Sequence, residues 1–300
     1  MSVVPFTKVQ GLGNDFLVVD LRATEAHVAS AVTEPDVVRA LCDRHFGVGA
    51  DGVLAVSLGL TGDARMRVLN ADGSEAEMCG NGIRCVAKFL YDTDPTLRRP
   101  VLRIDTGAGP LDCALQVVNG TVGSVAVEMG RPRLSRDEIP LSPGGAARAV
   151  RQAITAADRT FAFTAVSMGN PHAVIFIDDA GEDLRAVAEK YGPILEIAST
   201  FPRRTNVEFA RVRGRQIDLV VWERGCGITL ACGTGACATV VAASIEERLP
   251  TGLEVPVHLP GGTLLITAAA DYTGVTMCGP AVTLFRVDID PAALVASRSK

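Results

Sequence analysis

One short motif occurs twice in this 300-residue chain, and a second repeated landmark has nearly the same spacing. MCGNGIRC surrounds Cys79, and ACGTGACA surrounds Cys232, which lies 153 residues further on. Asn14 in GNDFLVVD and Asn170 in GNPHAVIFID are 156 residues apart. Both offsets are close to half the chain length, and self-similarity at a fixed offset indicates an internal repeat. We therefore predict two duplicated halves that present the same groups to opposite sides of one ligand.

Short apolar segments punctuated by Gly, Pro and Asp predict mainly β-structure. The predicted strands cover residues 3–9, 15–20, 64–69, 101–105, 111–117 and 122–128 in the first half, and 161–167, 173–177, 205–212, 216–222, 253–258, 263–268, 274–278 and 282–288 in the second.

Four helices are predicted, and two of them begin directly after a Cys-Gly pair. Residues 36–43 and 182–191 have amphipathic patterns, and 81–91 carries apolar residues at helical spacing. The segment 234–247 begins with ten residues that are almost all small or apolar, and a helix that is apolar on every side is normally buried all round. We therefore predict that strands enclose both helices that follow the cysteines. The Pro-Gly-Gly stretch 141–152 is predicted to connect the halves.

Composition argues against several classes of function. The formal net charge is −5, and no run of Lys or Arg stands out, so nucleic acid and anionic membranes are poor candidates for partners. The longest apolar run, around 236–243, is far shorter than a membrane span. The N-terminal residues lack the pattern of a secretory signal. We expect a cytoplasmic protein.

Eight cysteines are present, and none of them forms a C-x-x-C pair. A chain of this length does not need disulfides to stabilise it, so most of these residues are expected to be small buried side chains. Cys226, in the turn ERGCG, is expected to be either core or turn. The cysteines predicted to lie in the core are Cys42, Cys85, Cys113, Cys237 and Cys278.

The two remaining cysteines are each followed by Gly-x-Gly at a predicted helix start. The first amides of a helix lack internal partners, and with the helix dipole they form an anion site that suits an α-carboxylate. The same field favours thiolate over thiol. Amides aimed at a carboxylate would also stabilise the deprotonated substrate, which removes the need for a cofactor. Inversion of a stereocentre requires a base on one face and an acid on the other, and Cys79 and Cys232 supply both, with roles that exchange with reaction direction.

At these residues the chain resembles the diaminopimelate epimerase family, whose relatives include proline racemases. The resemblance implies an α+β fold of two pseudo-symmetric halves, each a mostly antiparallel β-sheet wrapped around a central helix. We expect the halves at 1–140 and 141–284, and the family implies that a final strand near 285–300 can return to the first half. The shared stretches are GLGNDF (11–16), GVGADG (47–52), NADGSEAEMCGNGIRC (70–85), MGNPHAV (168–174), TNVEF (205–209) and ERGCGITLACGTGAC (223–237).

The resemblance implies conversion of LL-diaminopimelate to the meso form in lysine and peptidoglycan biosynthesis, without cofactor or metal. It identifies Cys79 and Cys232 as the acid/base pair, with His172 and Glu223 in support. It names a small-molecule substrate as the partner and leaves a homodimer open. The substrate-binding residues that it implies are Asn14, Asn70, Gly80, Asn81, Asn170, Asn206, Glu223, Arg224, Gly233 and Thr234.

The chemistry of those side chains suits a long, doubly charged amino acid. Arg224 can form a two-pronged contact with a distal carboxylate, and Glu223 can accept from an ammonium group. One position departs from some relatives, which carry an amide side chain where this sequence has Gly52. The side-chain contact is lost there, and we expect Asp51 to brace the loop.

Three alternatives remain from the sequence. A proline or hydroxyproline racemase would use the same paired cysteines but needs no clamp for a distal carboxylate. A metal-binding or redox protein could use Cys226, Cys232 and Cys237, although zinc sites usually show closer cysteine pairs. A non-catalytic binding module would have no use for two such cysteines. Dinucleotide binding is dismissed because GLGNDF is not G-x-G-x-x-G.

Overall fold

The computed structural model describes residues 3–298 and divides the chain into two compact units. Unit 1 comprises the residues up to Val127 together with those from Gly279 onward, and unit 2 comprises Glu128–Cys278. Each unit combines several strands with a few helices, which confirms the predicted α+β class.

Unit 1 contains the first eight strands, three helices and a 3-10 turn, and the chain returns to it at the end for one more strand and helix. Its elements are β1 (Val4–Gly11), β2 (Asn14–Asp20), α1 (Ala26–Val32), α2 (Pro35–Cys42), β3 (Gly52–Ser57), β4 (Ala64–Asn70), β5 (Glu75–Ala76), α3 (Gly80–Thr93), the 3-10 turn Pro95–Leu97, β6 (Val101–Thr106), β7 (Gly109–Val118) and β8 (Thr121–Glu128).

Unit 2 contains the next nine strands and two helices. Its elements are β9 (Gln152–Ala156), β10 (Arg159–Ser167), β11 (Pro171–Phe176), α4 (Leu184–Glu196), β12 (Asn206–Arg213), β13 (Gln216–Glu223), β14 (Gly227–Ile228), α5 (Gly233–Ile245), β15 (Glu254–Leu259), β16 (Gly262–Ala268) and β17 (Val275–Pro280). The chain then forms β18 (Val282–Ile289) and α6 (Pro291–Arg298), which belong to unit 1.

Helix α3 lies inside unit 1. Every residue from Gly80 to Leu90 is buried, because α3 packs against strands on several sides, among them β1, β2, β7 and β18. Antiparallel pairing dominates, and β2 beside β3 is a parallel exception. The helix ends before Asp94, whose side chain accepts from the Thr96 amide and starts a 3-10 turn at Pro95. The predicted central helix is therefore present in this half.

The final strand completes the sheet of unit 1. β18 pairs antiparallel with β1, from Val4 opposite Ile289 to Gln10 opposite Val282. α6 then packs Leu294 and Val295 against the core beneath α2. The chain thus returns to its first half, as the family resemblance implies.

Helix α5 occupies the matching position in unit 2. Gly233 and every residue from Gly235 to Ser244 are buried, and α5 packs against β10, β11, β12 and β16. A helix of small and apolar residues can be enclosed in this way because no polar side chain needs solvent. On the other face of the sheet, α4 covers an aromatic cluster in which the rings of Phe161 and Tyr191 lie 4.9 Å apart.

The structure contains all fourteen predicted strands and all four predicted helices, within a few residues at each end. The pattern missed four strands, β3, β5, β9 and β14, and the helices α1 and α6. The prediction that 141–152 connects the halves is wrong, because this stretch lies within unit 2. Leu141 and Ala149 are buried in the unit 2 core, and the Ser142 amide donates to Thr200 O at 2.9 Å.

Residues 128–140 also lie in unit 2, because backbone hydrogen bonds tie them to later strands. The Met129 amide donates to Val275 O at 2.8 Å, and Arg133 forms a β-bridge with Ser167. The change of unit therefore falls at Glu128, ahead of the position after residue 140 that the sequence suggested.

Asp105 anchors a loop in unit 1 and predicts an acid-dependent stability. Its carboxylate accepts from the backbone amides of Leu60, Thr61 and Gly62, at 2.6, 3.0 and 3.2 Å. The Thr61 amide contributes most to lowering the Asp105 pKa to about 2. We expect Asp105→Asn to lower the free energy of unfolding by roughly 1–3 kcal/mol at pH 7. Urea unfolding measured by circular dichroism would test this.

The sign of the pH effect follows from the lowered pKa. The stabilisation is fully present above the unfolded-state pKa, near 4, and is lost as the pH falls toward about 2. The difference between wild type and Asp105→Asn should therefore shrink between pH 5 and pH 2. Asp271→Asn, at an exposed turn, is the control. A difference that stays constant over this pH range would contradict the assignment.

Candidate active site

Cys79 lies directly before α3 and caps it. Its backbone is extended, with φ −139° and ψ 115°, and its sulfur accepts from the Gly82 amide at 3.4 Å. A Cβ at Gly82 would lie 3.0 Å from Leu54 Cδ2, so the glycine lets this first turn pack closely against Leu54. The predicted position of a cysteine at a helix N-terminus is therefore present in unit 1.

A directed chain of hydrogen bonds reaches Cys79. The fully buried Arg84 donates from Nη2 to Asn81 Oδ1 at 3.0 Å. Asn81 Nδ2 donates to Asn14 Oδ1 at 3.3 Å, and Asn14 Nδ2 donates to Asp51 Oδ2 at 2.7 Å. With a cation at one end and a carboxylate at the other, both amides have fixed orientations. Asn14 consequently presents its carbonyl oxygen to the Cys79 sulfur, 3.8 Å away.

Asp51 braces this part of unit 1. Its carboxylate accepts from the Asp15 amide at 3.0 Å and from Arg44 Nη2 at 2.7 Å, in addition to Asn14. Burial opposes ionisation of Asp15, but hydrogen bonds from Arg44 and Lys8 hold its pKa below the usual value. A Cβ at Gly52 would lie 2.5 Å from Leu69 O, so this backbone leaves no room for a side chain.

Cys232 caps α5 in unit 2 and is more deeply buried than Cys79, with 5% of its surface exposed. Its sulfur lies 3.6 Å from Thr234 Oγ1. The sequence predicts a lowered thiol pKa here, and that prediction is wrong. Burial, followed by the charge of Glu223, raises the pKa of Cys232 well above its usual value, and the hydrogen bond with Thr234 only partly offsets this.

Glu223 is a carboxyl group near Cys232. It ends β13 and accepts from the Thr229 hydroxyl. Burial raises the pKa of Glu223, while the Thr229 hydroxyl and the nearby Cys232 oppose the rise. A carboxylate with a raised pKa, near a thiol whose pKa is also raised, can take up the thiol proton.

Asn170 and His172 connect Cys232 to a buried carboxylate. Asn170 Nδ2 donates to Thr234 Oγ1 at 3.3 Å, and Asn170 Oδ1 lies 2.9 Å from His172 Nε2. The other ring nitrogen of His172 lies 2.6 Å from Glu208 Oε1, and neither side chain has any exposed surface. His172 therefore reaches Thr234 indirectly: it hydrogen-bonds with Asn170, and Asn170 donates to Thr234.

Asn206 and Arg224 form a second group in unit 2. Asn206 Oδ1 accepts from the Arg224 amide at 2.9 Å, and Asn206 Nδ2 donates to Pro171 O at 3.0 Å. Glu196 holds the following turn through the Gly225 amide at 3.0 Å. The Arg224 side chain is exposed and donates from Nη1 to Arg203 O at 3.2 Å. Its guanidinium thus has further donors available for a ligand.

Most predicted site residues join one of these groups within their own unit. Gly80 and Asn81 form the first turn of α3, and Gly233 and Thr234 form the first turn of α5. Asn70 instead hydrogen-bonds with Ser74 Oγ at 2.9 Å, at the turn from β4 to β5.

The other cysteines divide as the sequence suggested. Cys226 is exposed in its turn. The cysteines that are buried outside the two helix caps are Cys42, Cys85, Cys113, Cys237 and Cys278.

Sequence reasoning did not single out four residues that hold the site groups: Arg84, Glu196, Glu208 and Thr229. For two of them the sequence contains an indication. Arg84 lies on the apolar face of a predicted buried helix, and Glu208 interrupts an apolar predicted strand. Charged residues in such positions are rarely buried without a partner. Glu196 and Thr229 gave no such signal because they lie at the end of a helix and in a loop.

Within residues 3–298, no helix is long and apolar enough to cross a membrane. Within the same range, no three side chains of the His, Cys, Asp and Glu types converge in an arrangement suited to a metal ion.

Similarity to solved structures supports the fold. A hydroxyproline epimerase from Agrobacterium vitis, crystallised with bound trans-4-hydroxy-L-proline, has a TM-score of 0.68 at 16% identity, with 96% of this chain and 91% of that chain covered. A methylitaconate-delta-isomerase has a TM-score of 0.65 at 13% identity, with 98% and 97% covered. At these identities the likeness establishes the architecture and says nothing of the substrate.

Sequence comparison is more specific. The family model described as diaminopimelate epimerase matches residues 6–135 and 164–284. A curated diaminopimelate epimerase from Desulfitobacterium hafniense is 46% identical over 284 residues, which cover 93% of this chain and 95% of the relative. Another, from Synechococcus sp., is 46% identical over 287 residues, which cover 95% and 97%. Because a match of this extent spans both cysteine motifs, the chain belongs to the diaminopimelate epimerase family.

Proposed function

We propose that this chain interconverts LL- and meso-diaminopimelate, and that Cys79 and Cys232 carry the α-proton on opposite faces of the reacting carbon. The observation that supports this most directly is that each unit has a cysteine as the N-cap of its buried helix. A sulfur in that position lies beside the unpartnered amides that can hold an α-carboxylate.

The first turns of the two helices would bind the reacting carboxylate. Gly80 and Asn81 provide them in unit 1, and Gly233 and Thr234 provide them in unit 2. Removal of the α-proton places additional negative charge on the carboxylate oxygens. Fixed amides bind that species more strongly than the ground state, so they lower the barrier without a cofactor.

The proton is passed on through thiols. In one direction, a thiolate removes the α-proton while the opposite thiol delivers its own, and the reverse reaction exchanges the roles. Glu223 lies near the Cys232 thiol and its pKa is raised by burial, so it can hold that proton when Cys232 must act as the base. Cys79 donates to Asn14 Oδ1 as a thiol and accepts from the Gly82 amide as a thiolate.

The remaining polar groups suit the distal half of diaminopimelate. Arg224 would bind the distal carboxylate, and its main chain is fixed through Asn206. Asn70 and Asn206 would contact the ammonium and carboxylate groups, since an amide both donates and accepts. A compact cyclic substrate such as proline has no group for this clamp.

We also propose that the reaction serves lysine and peptidoglycan biosynthesis. We place the enzyme in the cytoplasm because its thiols must stay reduced. The family resemblance leaves a homodimer open, and light scattering after size-exclusion chromatography would determine the oligomeric state.

Incubation with LL-diaminopimelate in heavy water tests the function. We expect meso-diaminopimelate to appear with one deuterium at the inverted α-carbon, because thiol protons exchange with solvent. Chiral chromatography with mass spectrometry measures both quantities, and proline serves as the comparison substrate. Turnover of proline without turnover of diaminopimelate would refute the substrate. Inversion with full retention of the original hydrogen would refute proton transfer through exchangeable thiols.

A further inference from the structure

Glu208 is a buried carboxyl group that the proposed reaction does not use. It lies on β12, and its side chain has no exposed surface. Its Oε1 atom contacts His172 Nδ1 at 2.6 Å, whereas within residues 3–298 nothing is placed to hydrogen-bond with Oε2. Burying a carboxyl group costs free energy unless it is paired, so a group kept in this state calls for a role.

The register of two strands brings Glu208 to His172. β11 and β12 run parallel, with His172 opposite Asn206. Because side chains two residues apart lie on the same face of a strand, Glu208 shares the face of His172 and Asn206. Gly235 in α5 leaves room for the carboxyl group, since a Cβ there would lie 3.0 Å from Glu208 Oε1.

The pair retains the proton of its hydrogen bond. An ionised Glu208 beside a neutral His172 would be a net charge with no exposed surface, which is the costly arrangement. Burial accordingly raises the pKa of Glu208, and His172 opposes the rise. The neutral pair keeps one proton between Nδ1 and Oε1 and a second proton on His172 Nε2, whichever partner formally holds the first.

The Nε2 proton determines the direction of the remaining chain. His172 Nε2 donates to Asn170 Oδ1 at 2.9 Å, which leaves Asn170 Nδ2 to donate to Thr234 Oγ1 at 3.3 Å. Having accepted from Asn170, the Thr234 hydroxyl directs its hydrogen to the Cys232 sulfur, 3.6 Å away. A flipped Asn170 amide would draw the Thr234 hydrogen to itself instead.

We propose that Glu208 is a positioning residue: it keeps the Nε2 proton of His172 directed at Asn170, so that Asn170 and Thr234 form a chain that donates to the Cys232 sulfur. Unit 1 uses a different arrangement, in which Asp51 orients Asn14 directly and Asn14 accepts from Cys79. The relay through Glu208 deepens the proposed function, on which its kinetic consequence rests.

The test compares Glu208→Gln with Glu208→Met. A glutamine amide can donate to His172 Nδ1 and leave the Nε2 proton in place, whereas methionine can do neither. Long-range ¹H–¹⁵N NMR of His172 should show a protonated Nε2 in wild type and in Glu208→Gln, and a mixture of tautomers in Glu208→Met. An unprotonated Nε2 in wild type would overturn the proposal. This measurement needs no enzymatic activity, so it stands even when the proposed reaction fails.

Kinetics provide the second measurement. We expect Glu208→Gln to retain kcat within about threefold, and Glu208→Met to lower kcat by about 10- to 100-fold with KM changed less than about threefold, because a misdirected histidine misplaces the groups that it holds. Equal losses in both variants would overturn the proposal. So would a loss confined to KM. If Glu208→Met does not fold, Glu208→Gln decides alone: a His172 that loses its Nε2 proton without loss of kcat contradicts the relay.

Glu246→Met is the matched control. Glu246 is also a buried carboxylate of unit 2, with 3% of its side chain exposed, and its partners are Arg248 and Thr164. We expect this variant to lose stability while the NMR signals of His172 and kcat stay as in wild type. A tautomer mixture at His172 in Glu246→Met would show that any destabilisation of unit 2 disturbs the pair, and it would overturn the specific role of Glu208.

Discussion

Replacing either Cys79 or Cys232 with serine is expected to lower kcat for diaminopimelate epimerisation by at least about 10³-fold, a loss within the range of general acid–base catalysis. A serine hydroxyl is far less acidic than a thiol, so it neither removes an α-proton as the anion nor delivers a proton readily. Since inversion needs a group on each face, the intact cysteine cannot compensate for the missing one.

The two variants should also differ from each other in a defined way. Each retains one sulfur, so each should exchange the α-hydrogen of one epimer with solvent faster than it inverts that centre. The favoured epimer should be opposite in the two variants, because the proposed reaction assigns the two sulfurs to opposite faces of the α-carbon. Deuterium incorporation into recovered LL- and meso-diaminopimelate, measured by mass spectrometry, reports both rates.

Folding must be separated from chemistry in this test. Serine is close in size to cysteine and can keep the contacts to Gly82 or Thr234, so we expect unfolding free energies within about 2 kcal/mol of wild type. Cys226→Ser, in an exposed turn of unit 2, is the matched control and should leave kcat unchanged. Near-normal turnover by both site variants would contradict the two-cysteine reaction.

Replacing Arg224 with methionine is expected to raise KM for diaminopimelate by about 100-fold, because losing one partner of a close charge pair costs about 2–5 kcal/mol. The KM of Arg224→Lys should fall between those of wild type and Arg224→Met, because an ammonium group keeps the charge but loses the two-pronged geometry. The main chain at Arg224 is held by Asn206, so the side chain can be changed without moving the turn. Initial rates against substrate concentration give KM and kcat separately.

Lysine, which lacks the distal carboxylate, makes this test specific. Wild type and Arg224→Met should use lysine equally poorly, because the clamp has nothing to bind. Arg215→Met removes an exposed arginine from the turn between β12 and β13 and should leave both substrates unaffected. An unchanged KM for diaminopimelate in Arg224→Met would show that the distal carboxylate binds elsewhere.

Local pattern was sufficient where a residue's environment depends on its neighbours in sequence. The Gly-rich turn after each cysteine and the apolar residues that follow predict α3 and α5, with Cys79 and Cys232 at their starts. The sequence pattern did not predict β3, because this strand starts at a glycine. Its first five residues are also all buried, so it lacks the alternation that marks a half-buried strand.

Two features of the fold depend on contacts between segments that are distant in sequence, so a local sequence pattern cannot predict them. The sequence shows a glutamate in an apolar strand, but only the register of β11 against β12 places Glu208 beside His172. The stretch 141–152 is the second feature. Its Pro-Gly-Gly and other small residues predict a linker between the halves, but Leu141 and Ala149 are buried in the core of unit 2.

The sequence by itself determined the two α+β halves, the two helix-capping cysteines and membership of the diaminopimelate epimerase family. Only the tertiary structure decided the direction in which the pKa of the Cys232 thiol is shifted. A helix N-terminus favours a thiolate through a field of a few amides, and this much can be read from a motif. Burial of the thiol and the charge of Glu223 act against it with larger effect, because both depend on segments that meet only when the chain folds.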